Sequence, residues 1–382
     1  MRLVCRDWRS FDFRGAYGAD ANQRYEESAT SMLRIATYNG TTDELVQFVN
    51  HVWSHSYADK MTFPCWTADF FEWQFRLSCD SERKNLIAAY DESVLAGVLL
   101  GTSYPIQSLA GRFLGSHWSW LSVHPDYRNR GIAKALDQER ILRQHHSGTR
   151  LIASYRYVGS NHSQAERPHS RQPNRKFNRK IGFWARVLDP DRFAKWHWSR
   201  VEGILGKLAA PFMRIPPDIQ RECPVREFSL ADLDACVQLV RDAVSSLVLS
   251  LDWDSEMLRH QLCGHSISQT LVVEEAGRVT GFVNYHLIPF RAKTIEKVAV
   301  IDLIVLGSTS SRNRLRLLNN ALARMCEQGA VLALKVRCGD APVWPLLRAH
   351  FIPQAADSML VLQSVGTELE IPSSAPIHLL WR

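Results

Sequence analysis

Leu121-Ser122-Val123-His124-Pro125-Asp126-Tyr127-Arg128-Asn129-Arg130-Gly131-Ile132-Ala133 is the stretch on which the reading of this chain turns. Leu121 and Val123 alternate with polar residues as on a half-buried strand, and Pro125 cannot donate to a continuing ladder. A polar turn follows, and Gly131 falls where a helix over 132–145 begins. Such a strand–loop–helix aims successive backbone N–H groups at one point, with the positive end of the helix dipole behind them. Small residues at 131 and 133 let an anion as large as a diphosphate approach the main chain, and Arg128 and Arg130 add positive charge.

The segments around this stretch alternate in a regular order. Residues 33–38 read as a strand, and Thr41-Thr42-Asp43-Glu44 is a helix-capping signal for a helix with Leu45, Phe48, Val49, Val52 and Trp53 on one face. A second helix is expected over 66–77, then strands over 85–90, 94–102 and 113–123. After the helix at 132–145 comes a strand over 150–158. Residues 177–183 read as a short helix ending at Gly182, and 184–188 as a closing strand.

In that setting Arg128-x-x-Gly131-x-Ala133, preceded by Val123-x-Pro125 and followed by Ala135-Leu136, resembles motif A of the GNAT superfamily of N-acetyltransferases, whose core is Arg/Gln-x-x-Gly-x-Gly/Ala. The likeness covers about residues 33–188, with Ile181-Gly182-Phe183 as a further match. It implies an acetyl-CoA co-substrate in a V between the fourth and fifth strands. Pantetheine would pair with the main chain of Leu121, Ser122 and Val123, and the pyrophosphate would lie on Arg128, Asn129, Arg130, Gly131, Ile132 and Ala133. It also implies that a primary amine attacks the thioester directly, so the enzyme needs positioning, an oxyanion donor and a route for a proton. His117 stands where histone-type members carry a Glu and is the candidate base, with Ser119 on the same strand face. The family's acid position, four residues before Gly-Phe, is here Asn178; Tyr155, Tyr157 or water would substitute. The alternative is a non-catalytic acyl-CoA-binding or sensing protein.

The second half repeats the order of elements, from a strand at 225–228 to a short helix at 342–350, and reads as an internal duplication. Its equivalent run, Gly307-Ser308-Thr309-Ser310-Ser311-Arg312-Asn313-Arg314-Leu315, has no glycine at the helix start, and His350-Phe351 replaces Gly-Phe. The expected class is therefore α/β (α+β), with two tandem GNAT-like domains, each a mixed, mostly antiparallel sheet flanked by helices. The expected division is an extension at 1–31, a GNAT domain at 32–190, a linker helix at 191–222 carrying Trp196 and Trp198, and a degenerate copy at 223–382. A basic insertion at 159–176 suits a lid over an acidic acceptor or the CoA 3′-phosphate, or a solvated loop.

Composition sets the remaining expectations. The chain of 382 residues is 46% hydrophobic and 22% charged, with a net charge of +7. That suits a globular protein with some attraction for anions, and no nucleic-acid-reading motif accompanies the charge. The eight cysteines form no C-x-x-C pair, so neither a disulfide frame nor a metal site is expected. With no apolar run of roughly 18 residues and a charged N-terminus, the expectation is a cytoplasmic monomer or homodimer. It would act on a small-molecule or protein amine, without membrane or nucleic-acid partners.

Overall fold

Thr41 starts the first helix as its sequence predicts: its side chain accepts the Glu44 N–H at 3.2 Å, and Glu44 accepts the Thr41 N–H at 2.9 Å. The structure is a computed structural model, describing residues 33–77, 79–157, 176–198, 224–355, 358–366, 369, 371–372 and 375–382. The expected extension at 1–31, the basic insertion and most of the linker helix lie outside the described residues.

In chain order the first half runs β1 (Leu33–Thr37), α1 (Thr42–Tyr57), β2 (Phe63–Pro64), α2 (Ala68–Phe75), α3 (Asp80–Arg83), β3 (Leu86–Asp91), β4 (Val94–Ser108), β5 (Gly111–Val123), α4 (Ile132–His146), β6 (Leu151–Tyr157) and β7 (Lys176–Ile181). Then come β8 (Phe183–Val187), α5 (Pro190–Trp196), β9 (Val225–Glu227), α6 (Leu233–Val244), β10 (Leu249–Leu251), α7 (Ser255–Cys263), β11 (Ser268–Glu275), β12 (Arg278–Arg291) and β13 (Ile295–Val305). The chain ends with α8 (Ser311–Glu327), β14 (Ala330–Val336), α9 (Val343–Arg348), β15 (Ile352–Pro353), β16 (Ser358–Ser364) and β17 (Ile377–His378).

Two sheets result, with main orders β1-β3-β4-β5-β6-β16-β7 and β9-β11-β12-β13-β14-β8-β15. Position by position the orders correspond, and each contains one central parallel pair, β5 with β6 and β13 with β14. The duplication expected from the sequence is thus an architectural fact: two mixed, mostly antiparallel sheets flanked by helices.

The halves also exchange strands. β8, expected as the closing strand of the first sheet, pairs with β14 and β15 of the second. In return β16 lies between β6 and β7 of the first. Residues 177–183, read as a helix, are mostly strand, because β16, far downstream, supplies the hydrogen bonds that override the local pattern. At the crossing between sheets sits Gly182, where a Cβ would come within 2.6 Å of the Gln354 carbonyl oxygen. Only glycine lets the two backbones approach so closely.

The core follows this weave. α4 packs Ile132 and Leu136 on one face of the first sheet, with Ile87, Ala89, Leu99 and Trp118. On the other face Leu45, Val49, Phe70 and Trp120 join Trp253, Phe290 and Trp381 from the second half in a continuous cluster. No helix among the described residues is long and apolar enough to cross a membrane.

Candidate functional site

Three backbone features of β5 open a cleft. Its parallel pairing with β6 covers only Gly115–His117 against Leu151–Ala153, and the strands part beyond that point. Against β4 the register slips between Val98↔Ser122 and Leu100↔Ser119, so Trp120 and Leu121 oppose the single residue Leu99. Trp120 has φ +55°, a left-handed conformation for a bulky residue that bends the strand away from its neighbour. Past the bulge, the edge of β5 that faces β6 has lost its partner strand.

The glycine loop follows directly. Asn129 (φ +62°) and Gly131 (φ +76°) are both left-handed, and Gly131 is the N-cap of the 15-residue helix α4 with no side chain capping it. The first bond of the helix runs from the Ala135 N–H to the Gly131 carbonyl at 3.0 Å, so the preceding amides have no carbonyl of their own helix to bond. Nothing lies within 4 Å of where a Gly131 Cβ would be. Gly97 fixes the helix against the sheet, since a Cβ there would meet Ile132 at 2.9 Å. The loop is an open, uncapped, electropositive end, the arrangement that receives phosphate.

A cavity of about 460 Å³ passes between the parted strands. Toward α4 it is lined by Leu121, Ala133, Asp137, Arg140 and Gln363, and toward α1 and α2 by Trp53, Tyr57, Trp66, Trp120 and Trp381. Its size is that of a small-molecule site.

Of the expected site residues, the structure places Leu121, Ala133 and Tyr155 on the cavity and the others in the loop or packed behind it. Leu121 and Ala133 face the cavity, whereas Ser122 is buried, accepting from Trp53 Nε1 at 3.1 Å and donating to the Trp120 carbonyl at 3.1 Å. Val123 packs beside the α4 cluster, to which Ile132 belongs. Arg128 donates to Ser56 Oγ at 2.8 Å, which anchors the loop to α1. Arg130 is exposed, its guanidinium 4.9 Å from the Tyr127 ring centre.

His117 lies one side chain back from the cavity. Its Nε2 is 3.0 Å from Ser119 Oγ, which lines the cavity and donates to the Arg382 main-chain oxygen at 3.2 Å. Burial first, then the Arg382 charge, pushes the His117 imidazole down to about 3, so the ring is neutral near pH 7. Tyr155 does line the cavity, its hydroxyl donating to the Leu379 carbonyl at 3.3 Å. Burial holds that phenol well above its usual range and therefore protonated.

The degenerate second half reads from sequence as a buttress or one wall of the acceptor site, but the residues that make its contribution do not. Arg382 forms a buried, two-pronged ion pair with Asp302 at 2.6 and 3.0 Å, and the same carboxylate meets His286 Nδ1 at 2.9 Å. Trp381 packs edge-on against Phe183. This clamp holds residues 381–382 as a wall of the cavity. No local motif announces it; an isolated Asp in an apolar strand, Ile301-Asp302-Leu303, was the one signal available.

The second copy of the loop is filled from within. Glu275 accepts from Ser310 N at 3.1 Å, Ser310 Oγ at 2.6 Å and Asn313 Nδ2 at 2.6 Å, at the N-terminus of α8. A carboxylate thus sits where the first half leaves its amides open. Among the described residues no three His, Cys, Asp or Glu side chains gather to hold a metal ion.

A parted central strand pair, a bulge and an uncapped glycine-led helix define an acyl-CoA N-acyltransferase fold of the GNAT type. Residues 43–165 match the family model of the acetyltransferase (GNAT) family. The first half thus carries a match to that family, and the chain has a GNAT-like fold twice in tandem. No curated protein matches it. Among solved structures it is similar over 90% of its length to 80% of a Saccharomyces cerevisiae N-myristoyltransferase with bound myristoyl-CoA, at 13% identity and a TM-score of 0.67. A second structure of that enzyme aligns over 94% of this chain and 90% of its own, at 12% identity and a TM-score of 0.66. A GCN5-related N-acetyltransferase from Kribbella flavida aligns over 88% of this chain and 72% of its own, at 14% identity and a TM-score of 0.50. At such identities the likeness is one of fold.

Proposed function

We propose that this protein transfers an acyl group from a CoA thioester to an amine by direct attack, with acetyl-CoA as donor. The observation that carries the reading is the unpaired edge of β5 leading straight to the open amides of Asn129–Ala133. The pyrophosphate would rest on those amides, and pantetheine would take the place of the missing strand beside Leu121 and Val123. The thioester would then reach Ser119 and Tyr155 at the far end of the cavity.

There the amine nitrogen attacks the carbonyl carbon, the C–S bond breaks and CoA leaves as a thiolate. Holding both reactants in the cavity supplies most of the acceleration, and a main-chain donor at the bulge stabilises the oxyanion. An alkylammonium of pKa about 10 costs roughly 4 kcal/mol to deprotonate at pH 7. An imidazole held near 3 is a poor acceptor for that proton. We therefore assign His117 a positioning role: it orients the Ser119 hydroxyl, which holds the water that carries the proton away. Tyr155, kept protonated, would turn its hydroxyl from the Leu379 carbonyl to hydrogen-bond the departing thiolate, which takes its proton from water.

A second reading is a donor with a longer acyl chain. The aromatic end of the cavity, with Trp53, Tyr57, Trp66 and Trp120, offers apolar surface beyond what an acetyl group covers. The structural neighbour with bound myristoyl-CoA points the same way. Thiol release measured with acetyl- to myristoyl-CoA over a panel of amines separates the readings. Turnover with acetyl-CoA supports the first, and turnover confined to long chains the second. CoA binding without thiol release from any pair would identify a binding protein instead.

A further inference from the structure

α9 and the edge strand β15 present an apolar face that the proposed chemistry does not use. Trp344 is 70% exposed, Val343 54%, Ile352 43% and Leu347 41%, four large apolar side chains within ten residues. Leu346, on the inner side of the same helix, is fully buried, so α9 is anchored through that residue and offers the others to solvent. Isolated exposed apolar residues are ordinary, but a cluster marks a contact surface.

The segment that carries this face has basic side chains and no carboxylate. Residues 341–355 contain no acid, while Arg348 and His350 are exposed among the apolar residues. Arg337, which donates to the Gln354 carbonyl at 3.2 Å, adds a third basic side chain beside β15. The partner should therefore be negatively charged. β15 itself is two residues long and ends in Pro353, so this sheet edge is a poor template for strand pairing with a second copy. An exposed indole flanked by aliphatic residues and arginine is the combination that settles at the boundary between lipid headgroups and acyl chains.

We propose that the α9–β15 face docks the protein on an anionic membrane surface, with Trp344, Val343, Leu347 and Ile352 entering the headgroup boundary and Arg348 pairing with lipid phosphate. Such docking is peripheral, needs no spanning helix, and departs from the expectation that no membrane partner is involved. It is independent of which acyl donor the cavity accepts.

Flotation of the full chain with phosphatidylcholine vesicles, with and without phosphatidylserine, tests it. The expected result is binding to the phosphatidylserine vesicles alone, reduced about tenfold in Trp344→Glu and in Leu347→Glu. Arg348→Glu should bind less and show a weaker dependence on salt. All three positions are exposed, and circular dichroism checks that each variant is folded. Absence of wild-type binding to anionic vesicles, or equal binding by wild type, Trp344→Glu and Leu347→Glu, overturns the proposal. A wild-type dimer that Trp344→Glu splits, with no binding to lipid, also overturns it and makes the face an interface between copies.

Discussion

Gly131 offers a direct measure of the cleft, because strain and crowding are separated there. Its φ of +76° disfavours any other residue, yet nothing lies within 4 Å of the Cβ position. Alanine at 131 therefore meets backbone strain alone, about 1–2 kcal/mol in the left-handed region. The loop is exposed and can relax in the free protein, so the strain should appear mainly when phosphate draws the amides into line. Gly131→Ala should weaken CoA binding by about 5- to 30-fold with little change in unfolding midpoint. Gly131→Asn, whose side chain tolerates this conformation as Asn129 does, should lose less. Gly131→Trp covers the amides and should abolish binding. Isothermal titration of CoA into the four proteins, each confirmed folded by circular dichroism, provides the readout. Wild-type affinity in Gly131→Trp would refute the assignment of the loop, and with it the proposed donor site.

Other consequences are open to measurement. Burial lowers the imidazoles of His117, His260 and His286, against an unfolded value near 6.5, so below that pH the unfolded chain binds more protons than the folded one. Stability should be full above about pH 7 and fall on acidification, by up to about 1.4 kcal/mol per pH unit for each such histidine. Urea titrations between about pH 7 and pH 5 should show a shallower loss for His117→Gln; an unchanged slope would mean that the ring is solvated. Asp302→Asn leaves the buried Arg382 charge without its partner and should cost about 3–5 kcal/mol in urea unfolding. A loss below about 1 kcal/mol would show that the clamp is not formed. Glu275→Ser should reopen the anion site of the second half. Inorganic phosphate at about ten times its Kd should then raise the melting temperature of the variant by about 1–3 °C, with the wild type unaffected. Equal shifts in both proteins would count against the filled-loop description.

What could be read from the residues was local. The capping box at Thr41–Glu44, the strand ending before Pro125 and the glycine opening α4 each rest on a few neighbouring residues, and each was found. So was the duplication, because its hydrophobic periods recur in order. The fate of residues 177–187 was not legible: Phe183–Val187 alternates as a strand should, but which sheet it joins depends on β14, more than a hundred residues away. The cavity was legible on its β5 side and opaque on the other. Trp53 and Trp66 fit a core helix face as readily as a cavity wall, and the bulge at Trp120 has no glycine to mark it. His117 illustrates a further limit, since a strand position suggests a base while only packing reveals that Ser119 stands between it and the cavity.

The strand exchange has a consequence for biosynthesis. The first sheet lacks β16, the strand next to its edge, until the ribosome has delivered residue 364, so β6 and β7 emerge with a gap between them. Closing that gap joins residues some two hundred positions apart, which slows folding and leaves two unpaired strand edges exposed while translation continues. Neither half should mature alone during synthesis, and a nascent chain stalled before β16 would be a natural client for chaperones.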